Sequence, residues 1–494
     1  MICVSIARGR HRHVLAEHRH LVEQGAQLVE IRLDYIRRQI NLKRLFKERA
    51  CPIIATCRRV EDQGKWEGSE ESRLMLLRAA IAEGVEYVDL EADVADKIPI
   101  YGKTKRIISL HNFRETPENL SEIHARLASL DADVVKIATM ANEPHDNVRM
   151  LQLVRESTIP TVGICMGEIG IPSRILAGKF GAPFTYSTFH HERTLAPGQL
   201  SFSQMKDIYH YDEILADTKV YGYVADAVGQ SVVPLVHNAA FRSLGINAVC
   251  VPYRVPREYL TSFLHDSASM DVCGMSVGPP HRDGLMHSLH KLDKAADAIG
   301  AVNTVSFHDD RSTFGYNTDY RAAMSALVRA SGIKTENPLD GKRALVLGAG
   351  SVAKAVVFGL KQMNVDVVIA ARSFANAQAL AETMDCRAVE WDSRYSVKLD
   401  VLVNCTPVGM HPNVDETPFA TGQLRRTWIV FDAVYNPEQT LLVKEARLKG
   451  CRVVTGVDMF IRQVALQFKV FTGQDPPIEV MRLALKRAVG AAKF

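Results

Sequence analysis

Short β-rich apolar runs alternate with longer amphipathic stretches from the first residue to about residue 215. The runs are Ile2–Ala7, Leu28–Tyr35, Pro52–Arg58, Tyr87–Ala92, Arg106–Phe113, Asp133–Thr139, Thr161–Gly167 and Phe184–Phe189. Between them, stretches such as Ser72–Glu83 and Pro117–Leu130 carry helical spacing. Eight strand–helix repeats at this length predict a (β/α)8 barrel. A polar connector at 211–219, free of Gly and Pro, leads into a second α/β unit from Lys219 onward. There Lys342–Ala353 reads as a charged start, an apolar strand and a Gly-x-Gly-x-x-Ala turn opening a helix.

Charged residues interrupt the barrel pattern where strands end. They are Glu30, Arg32 and Asp34 in the second run, Arg58 in the third, Glu91 in the fourth and His111 in the fifth. Lys136 stands inside the sixth, Asp133-Val134-Val135-Lys136-Ile137-Ala138. Burying an ammonium costs several kcal/mol unless it is paired or deprotonated. From the run alone two readings are open. Lys136 either caps a strand end with its head in water, or is desolvated and serves as the amine that forms a Schiff base with a ketone. Barrel chemistry gathers at the C-terminal strand ends, and several titratable residues converging there favour a site.

The bulk numbers narrow the field. With 494 residues the chain exceeds one core, so two or three domains are expected. Lys+Arg 60 against Asp+Glu 56 is too balanced for a nucleic-acid partner. The nine cysteines form no CxxC pair, which predicts reduced thiols and a cytoplasmic setting. The N-terminus enters a strand directly, without a signal peptide, and no apolar run is long enough to span a membrane. His11, His13, His18 and His20 are not followed by ligands at zinc spacing, so no metal is expected and they are read as a solvated loop and helix face.

The first 210 or so residues resemble type I 3-dehydroquinate dehydratase, the Schiff-base barrel family. The matching segments are Val29–Asp34, Ala55–Arg58, Val88–Glu91, Ser109–Phe113, Val135–Ala138, Pro172–Arg174 and Ala196–Gln199. The resemblance implies that Lys136 forms an imine with the C3 ketone of 3-dehydroquinate. It implies that His111 moves the C2 proton and the C1 hydroxyl, with Glu91 orienting its ring. Arg174 would take the carboxylate, and Glu30, Arg32, Arg58 and Gln199 the remaining polar groups. One departure is Leu195, where the family has a small hydroxyl residue before Ala-Pro-Gly-Gln. The rival is a class I aldolase, which also uses a Schiff-base lysine; His111, Arg174 and the Ala196–Gln199 segment favour the dehydratase.

Residues 219–494 resemble shikimate dehydrogenase. The matching pieces are Pro234–Asn238, Ile299–Thr304, Gly315–Asp319, the glycine turn, Asn404–Met410, Tyr435–Pro437 and Gly456–Phe460 through Gln463. The strand Asp366–Ala371 ends in Arg372 and Ser373 instead of an acidic residue, which suits the 2′-phosphate of NADP rather than NAD. The resemblance implies NADP at Gly348, Gly350, Ser351, Val352, Ala353, Arg372, Ser373, Thr406 and Gly456. It implies shikimate at Ser231, Asn303 and Gln463, with Asp319 in the catalytic pair. The expected organisation is a barrel at 1–215, a shikimate-binding α/β domain at 219–325 completed by helices at about 457–494, and a Rossmann domain at 326–456.

The substrate side departs from that family. Val233 replaces the second serine of Ser-x-Ser-Pro, and Ser276-Val277-Gly278-Pro279-Pro280-His281-Arg282 replaces Asn-Val-Thr-x-Pro-His-Lys. The family's lysine is its proposed proton donor and acceptor, whereas Arg282 stays protonated. Three readings follow: a repacked working dehydrogenase in which Asp319 or water handles the proton, an enzyme for a related acid such as quinate or dehydroquinate, or a weakly active nucleotide-binding module. The first is favoured, because the barrel's product is the reductase's substrate. The expected partners are therefore 3-dehydroquinate, 3-dehydroshikimate and shikimate.

Overall fold

The computed structural model describes residues 1–47, 49–229 and 231–491. They divide into two compact units. One comprises Met1–Gly222, Ala227–Pro234 and Asn247–Val272; the other comprises Tyr223–Asp226, Leu235–Ile246 and Cys273–Phe494.

The first unit holds the barrel. Its strands are β1 (Ile2–Ile6), β2 (Leu28–Arg32), β3 (Ile53–Thr56), β4 (Tyr87–Glu91), β5 (Lys105–Asn112), β6 (Val134–Met140), β7 (Thr161–Met166) and β8 (Thr185–Thr188). All eight expected runs form strands, hydrogen-bonded in the order β7-β6-β5-β4-β3-β2-β1-β8. Every pairing is parallel. The second run is shorter than its apolar pattern predicts. After Arg32 the chain turns through Leu33–Tyr35, because the Asp34 carboxylate accepts two bonds from the Arg32 guanidinium, at 2.9 and 2.8 Å.

The period of two along a strand layers the interior. Cys3, Leu28, Ile54, Ile107, Val134, Val162 and Phe184 form one apolar cluster. Two residues further along the same strands come Ser5, Glu30, Thr56, Ser109, Lys136, Ile164 and Tyr186. A further two bring Arg32, Arg58, His111, Ala138 and Met166 toward the C-terminal mouth. The intervening residues, such as Val135 and Ile137, face outward yet are also buried, which is why Lys136 looked isolated in an apolar run. A loop covers the mouth: Gly167 N–H donates to the Pro197 carbonyl at 3.1 Å. Gly198 sits there at φ +70°, and a Cβ on it would fall 2.1 Å from the Gly167 oxygen, so only glycine fits.

Strands β9 (Lys219–Ala225) and β10 (Ala248–Arg254) follow the barrel. In the second unit β11 (Val272–Val277) pairs antiparallel with β13 (Thr304–Phe307), and β13 with β14 (Thr313–Tyr316); the short β12 (Lys291–Leu292) runs parallel to β14. A separate parallel sheet contains β15 (Arg343–Leu347), β16 (Asp366–Ala370), β17 (Arg387–Val389), β18 (Val401–Asn404), β19 (Ile429–Asp432) and β20 (Arg452–Val454). Its order is β17-β16-β15-β18-β19-β20. The order of strands therefore reverses between β15 and β18, the switch point at which doubly wound sheets hold dinucleotides. Apolar clusters that include Val346, Ile369 and Phe431 and, separately, Leu347, Leu402 and Val430 pack against the sheet.

Candidate active sites

In the barrel, Glu30, Arg32, Arg58, His111, Lys136, Arg174 and Gln199 line one cavity of about 80 Å³. Lys136 is 6% exposed. Its Nζ donates to Asp89 Oδ2 at 2.9 Å, lies 3.9 Å from Glu30 Oε1 and stands 4.1 Å above the Tyr186 ring centroid. The lysine in the apolar run is thus compensated by buried carboxylates. Asp89 also accepts from Arg58 at 2.9 Å and from Ser109 at 2.6 Å. Burial alone would raise the Asp89 carboxyl, but Arg58 and Lys136 beside it reverse that and hold it well below the usual carboxylate range. Glu30 is fixed by Ser5 at 2.6 Å and Thr56 at 2.9 Å.

Glu91 does not do what the sequence suggested. One carboxylate oxygen accepts from Arg58 at 2.7 Å and the other from Arg73 at 2.8 Å. Arg73 is fully buried and also bonds the Cys57 carbonyl and Glu70. Glu91 therefore braces the two arginines, while His111 Nδ1 is buried without a hydrogen-bond partner. Burial of the His111 ring, then the charges of Arg58 and Lys136, push it well below the ordinary histidine value of 6.5. Arg174, on the short helix Ile171–Leu176, donates to the Pro197 carbonyl at 3.3 Å and has a buried, unpartnered Nε. Burial without a carboxylate beside it pushes this guanidinium down to about 10. It is a cation facing the cavity with no carboxylate partner among the described residues. Gln199 accepts from the Leu195 N–H at 2.9 Å, so the lid is closed on itself by the residue that departs from the family pattern.

The histidine cluster is not wholly solvated. His18 is buried and lies 3.3 Å from Cys51 Sγ, and His20 packs against Phe189 with ring centroids 5.8 Å apart. Among the described residues no group of His, Cys, Asp or Glu is placed to hold a metal ion. No described helix is long and apolar enough to cross a membrane.

In the second unit, Arg282 Nη1 donates to Asp319 Oδ2 at 2.7 Å and its Nε to the Val277 carbonyl at 3.0 Å. Asn303 is fully buried and accepts from the Thr318 N–H at 2.9 Å, which fixes the backbone just before Asp319. Gln463 is buried on the helix Gly456–Thr472. One turn later Gln467, not singled out in the sequence, donates to the Asn303 carbonyl at 2.9 Å and accepts from Ser276 at 3.2 Å. Ser231 lies in the first unit, where its hydroxyl accepts from the Val233 N–H at 3.3 Å.

The expected cofactor residues fall at the C-terminal ends of β15, β16, β18 and β20. Gly348 has φ +107° and would place a Cβ 3.1 Å from the Cys405 carbonyl. Gly350 opens the helix Ser351–Gln362, which no side chain caps, and nothing lies within 4 Å of a Cβ placed there. Free N–H groups at an open helix start suit a pyrophosphate, so the residues fit a dinucleotide. Ala353 is buried against the sheet and serves close packing; Val352 flanks it. Arg372 is exposed, while the Ser373 hydroxyl caps the next helix by accepting from Asn376 N–H. Thr406 is held by two bonds to Asn404, at 2.9 and 2.6 Å, and Asn404 by Asp432 at 2.9 Å. Burial pushes Asp432 up to about 6. Gly456 approaches the Val434 carbonyl too closely for any Cβ, which would lie at 2.2 Å.

Family comparisons match the same segments. Residues 2–216 match the type I 3-dehydroquinase family, 223–305 the shikimate dehydrogenase substrate binding domain, 331–415 shikimate/quinate 5-dehydrogenase and 456–486 the shikimate 5′-dehydrogenase C-terminal domain. The bifunctional 3-dehydroquinate dehydratase/shikimate dehydrogenase of Arabidopsis thaliana, described as chloroplastic, is 38% identical over 506 residues, 97% of this chain and 83% of that protein. Shikimate dehydrogenase (NADP(+)) of Methanopyrus kandleri is 39% identical over 284 residues, 55% of this chain and 96% of that one. Among solved structures, shikimate 5-dehydrogenase of Thermus thermophilus with NADP(H) and shikimate has a TM-score of 0.50 at 33% identity, covering 55% of this chain and 99% of that one.

The depressed His111 predicts a pH profile. A histidine below 6.5 stays neutral, and so competent as a base, as pH falls through that value. The acid limb of kcat/KM for the barrel reaction should lie below pH 6.5; a limb at or above it contradicts the burial argument.

Proposed function

The chain belongs to the family of bifunctional 3-dehydroquinate dehydratase/shikimate dehydrogenases, and we propose from this the roles of its residues. The barrel dehydrates 3-dehydroquinate to 3-dehydroshikimate, and the C-terminal half reduces 3-dehydroshikimate to shikimate with NADP. The observation that carries the dehydratase assignment is a compensated amine, a neutral imidazole and an uncompensated guanidinium around one cavity.

Arg174 takes the substrate carboxylate, which supplies the counter-charge it lacks. Lys136, once it has given up its proton, attacks the C3 ketone; water leaves and an imine forms. His111 removes the C2 proton as electrons move toward the imine, then protonates the departing C1 hydroxyl. Hydrolysis of the imine releases 3-dehydroshikimate and restores Lys136. Asp89 stabilises the cationic nitrogen of the resting ammonium and of the protonated imine. Glu91 and Arg73 hold Arg58 in place, and Glu30, Arg32, Arg58 and Gln199 position the substrate's polar groups.

In the second unit a bound NADPH would supply the hydride. The turn Gly348–Ala353, Arg372, the Thr406 loop and Gly456 are the residues we assign to holding it. Arg282 replaces a lysine with a guanidinium that keeps its proton, so it orients Asp319 and polarises the carbonyl while Asp319 or water delivers the proton. Asn303 and Gln463 are assigned to the substrate. The boundaries we propose are 1–215 for the dehydratase, 219–325 with about 457–494 for shikimate binding and 326–456 for the nucleotide. A reducing, cytoplasmic compartment is supported by nine free cysteines.

Borohydride reduction in the presence of 3-dehydroquinate should attach the ligand to Lys136, read by peptide mass; no adduct, or one on another lysine, sinks the assignment. Arg282→Lys tests the second pocket by NADPH oxidation with 3-dehydroshikimate. If the guanidinium orients Asp319 and polarises the carbonyl, the variant loses roughly tenfold or more in kcat, about 1.4 kcal/mol of barrier. A variant faster than the natural enzyme would refute that role.

A further inference from the structure

We propose that the loops after β1 and β2 form a second binding site in the first unit. Its ligand is a compact oxyanion with more than one negative charge, a phosphate or a polycarboxylate. A cavity of about 530 Å³ is lined by Arg8, Arg10, His13, Tyr35, Arg37 and Arg38. Arg8 is ion-paired with Glu17. Arg10, Arg37 and Arg38 are exposed and have no carboxylate partner among the described residues. The other nearby acid, Asp34, is already engaged by Arg32 and by the Lys65 N–H. Three like charges gathered at one cavity repel, and an anion relieves that repulsion while offering acceptors for bidentate guanidinium contacts.

A second observation concerns the helix His11–Glu23, which begins at this cavity. A helix start ordinarily carries a Ser, Thr, Asp or Asn cap and acidic residues in its first turn. Here Arg10 stands at the cap position, no side chain caps the helix, and the first turn has no acidic residue. Basic side chains sit at the positive end of the helix dipole, an arrangement that an oxyanion on the free N–H groups makes favourable.

The two loops hold each other in place. Arg37 N–H donates to the Gly9 carbonyl at 3.3 Å, and Asn41 N–H to His11 Nε2 at 2.9 Å. No residue lines both this cavity and the catalytic one. They are neighbours through Arg32, whose guanidinium rests 5.1 Å above the Tyr35 ring centroid. The mechanism assigns the substrate's single carboxylate to Arg174, so these arginines serve a different and more highly charged ligand.

Calorimetric titration of the full chain tests this, with inorganic pyrophosphate and with citrate as probes. Saturating NADP+ removes competition from the glycine turn, and sodium chloride holds ionic strength constant. Saturable binding of at least one probe is expected, weakened about tenfold or more in Arg37→Ala/Arg38→Ala. That variant should keep its dehydratase kcat, since neither side chain lines the catalytic cavity. Pyrophosphate alone binding assigns a phosphate ligand, and citrate alone a polycarboxylate. Binding of neither, or equal affinity in the variant, overturns the proposal.

Discussion

The contact between Lys136 and Asp89 is the interaction on which the barrel depends. An amine placed among apolar layers must be compensated, and a compensating carboxylate must be compensated in turn. The structure answers with an alternating series: Lys136 to Asp89, Asp89 to Arg58, Arg58 to Glu91, Glu91 to Arg73, and Arg73 to Glu70. Only its far end, Glu70, is substantially exposed, with 40% of its side chain in solvent. Strand register produces the series, because Glu91, Ser109 and Lys136 stand in one row across β4, β5 and β6. Arg174 is the exception, a buried cation with no carboxylate partner among the described residues.

The second unit uses charge differently. Its pair, Arg282 with Asp319, contains a group that does not exchange its proton at ordinary pH. The aspartate is held in position by the guanidinium and by the Asn303–Thr318 bond behind it. The glycine turn depends on backbone shape rather than charge: Gly348 holds φ +107°, which side chains rarely adopt, and Gly456 stands where the Val434 carbonyl would lie 2.2 Å from any Cβ. The barrel thus buries an amine among carboxylates, whereas the second unit sets a guanidinium against its aspartate.

Much of this was legible in the sequence. All eight strands were, because buried parallel strands are apolar runs that the chain interrupts only where chemistry or pairing requires it. Seven of the expected barrel residues share one cavity: Glu30, Arg32, Arg58, His111 and Lys136 because alternate positions along a strand share a face, and Arg174 and Gln199 from the helix and loop over the mouth. The resemblance assigns Glu91 to His111 and gives Lys136 no partner, because Asp89 and Glu91 lie on one face and spacing does not say which carboxylate reaches which group. Arg73 was illegible for another reason: within Glu70–Ala82 it resembles any charge on a solvated helix, yet it is fully buried. His18 likewise resembles a position on a solvated helix face, yet it is buried. Gln467 lies one helical turn from the motif residue Gln463, and only the packed helix places it against Asn303.

The most direct test of the account is a double-mutant cycle between Asp89 and Lys136. Unfolding of the barrel would be followed in denaturant by Trp66 fluorescence, with Trp391 and Trp428 replaced by phenylalanine. Asp89→Asn and Lys136→Met should each cost about 3 kcal/mol, because each leaves a buried charge without its nearest counter-charge in that pair. The double variant should cost less than their sum by about 2 kcal/mol or more. Losses that add to within about 0.5 kcal/mol would mean that Asp89 is not what allows Lys136 inside the barrel.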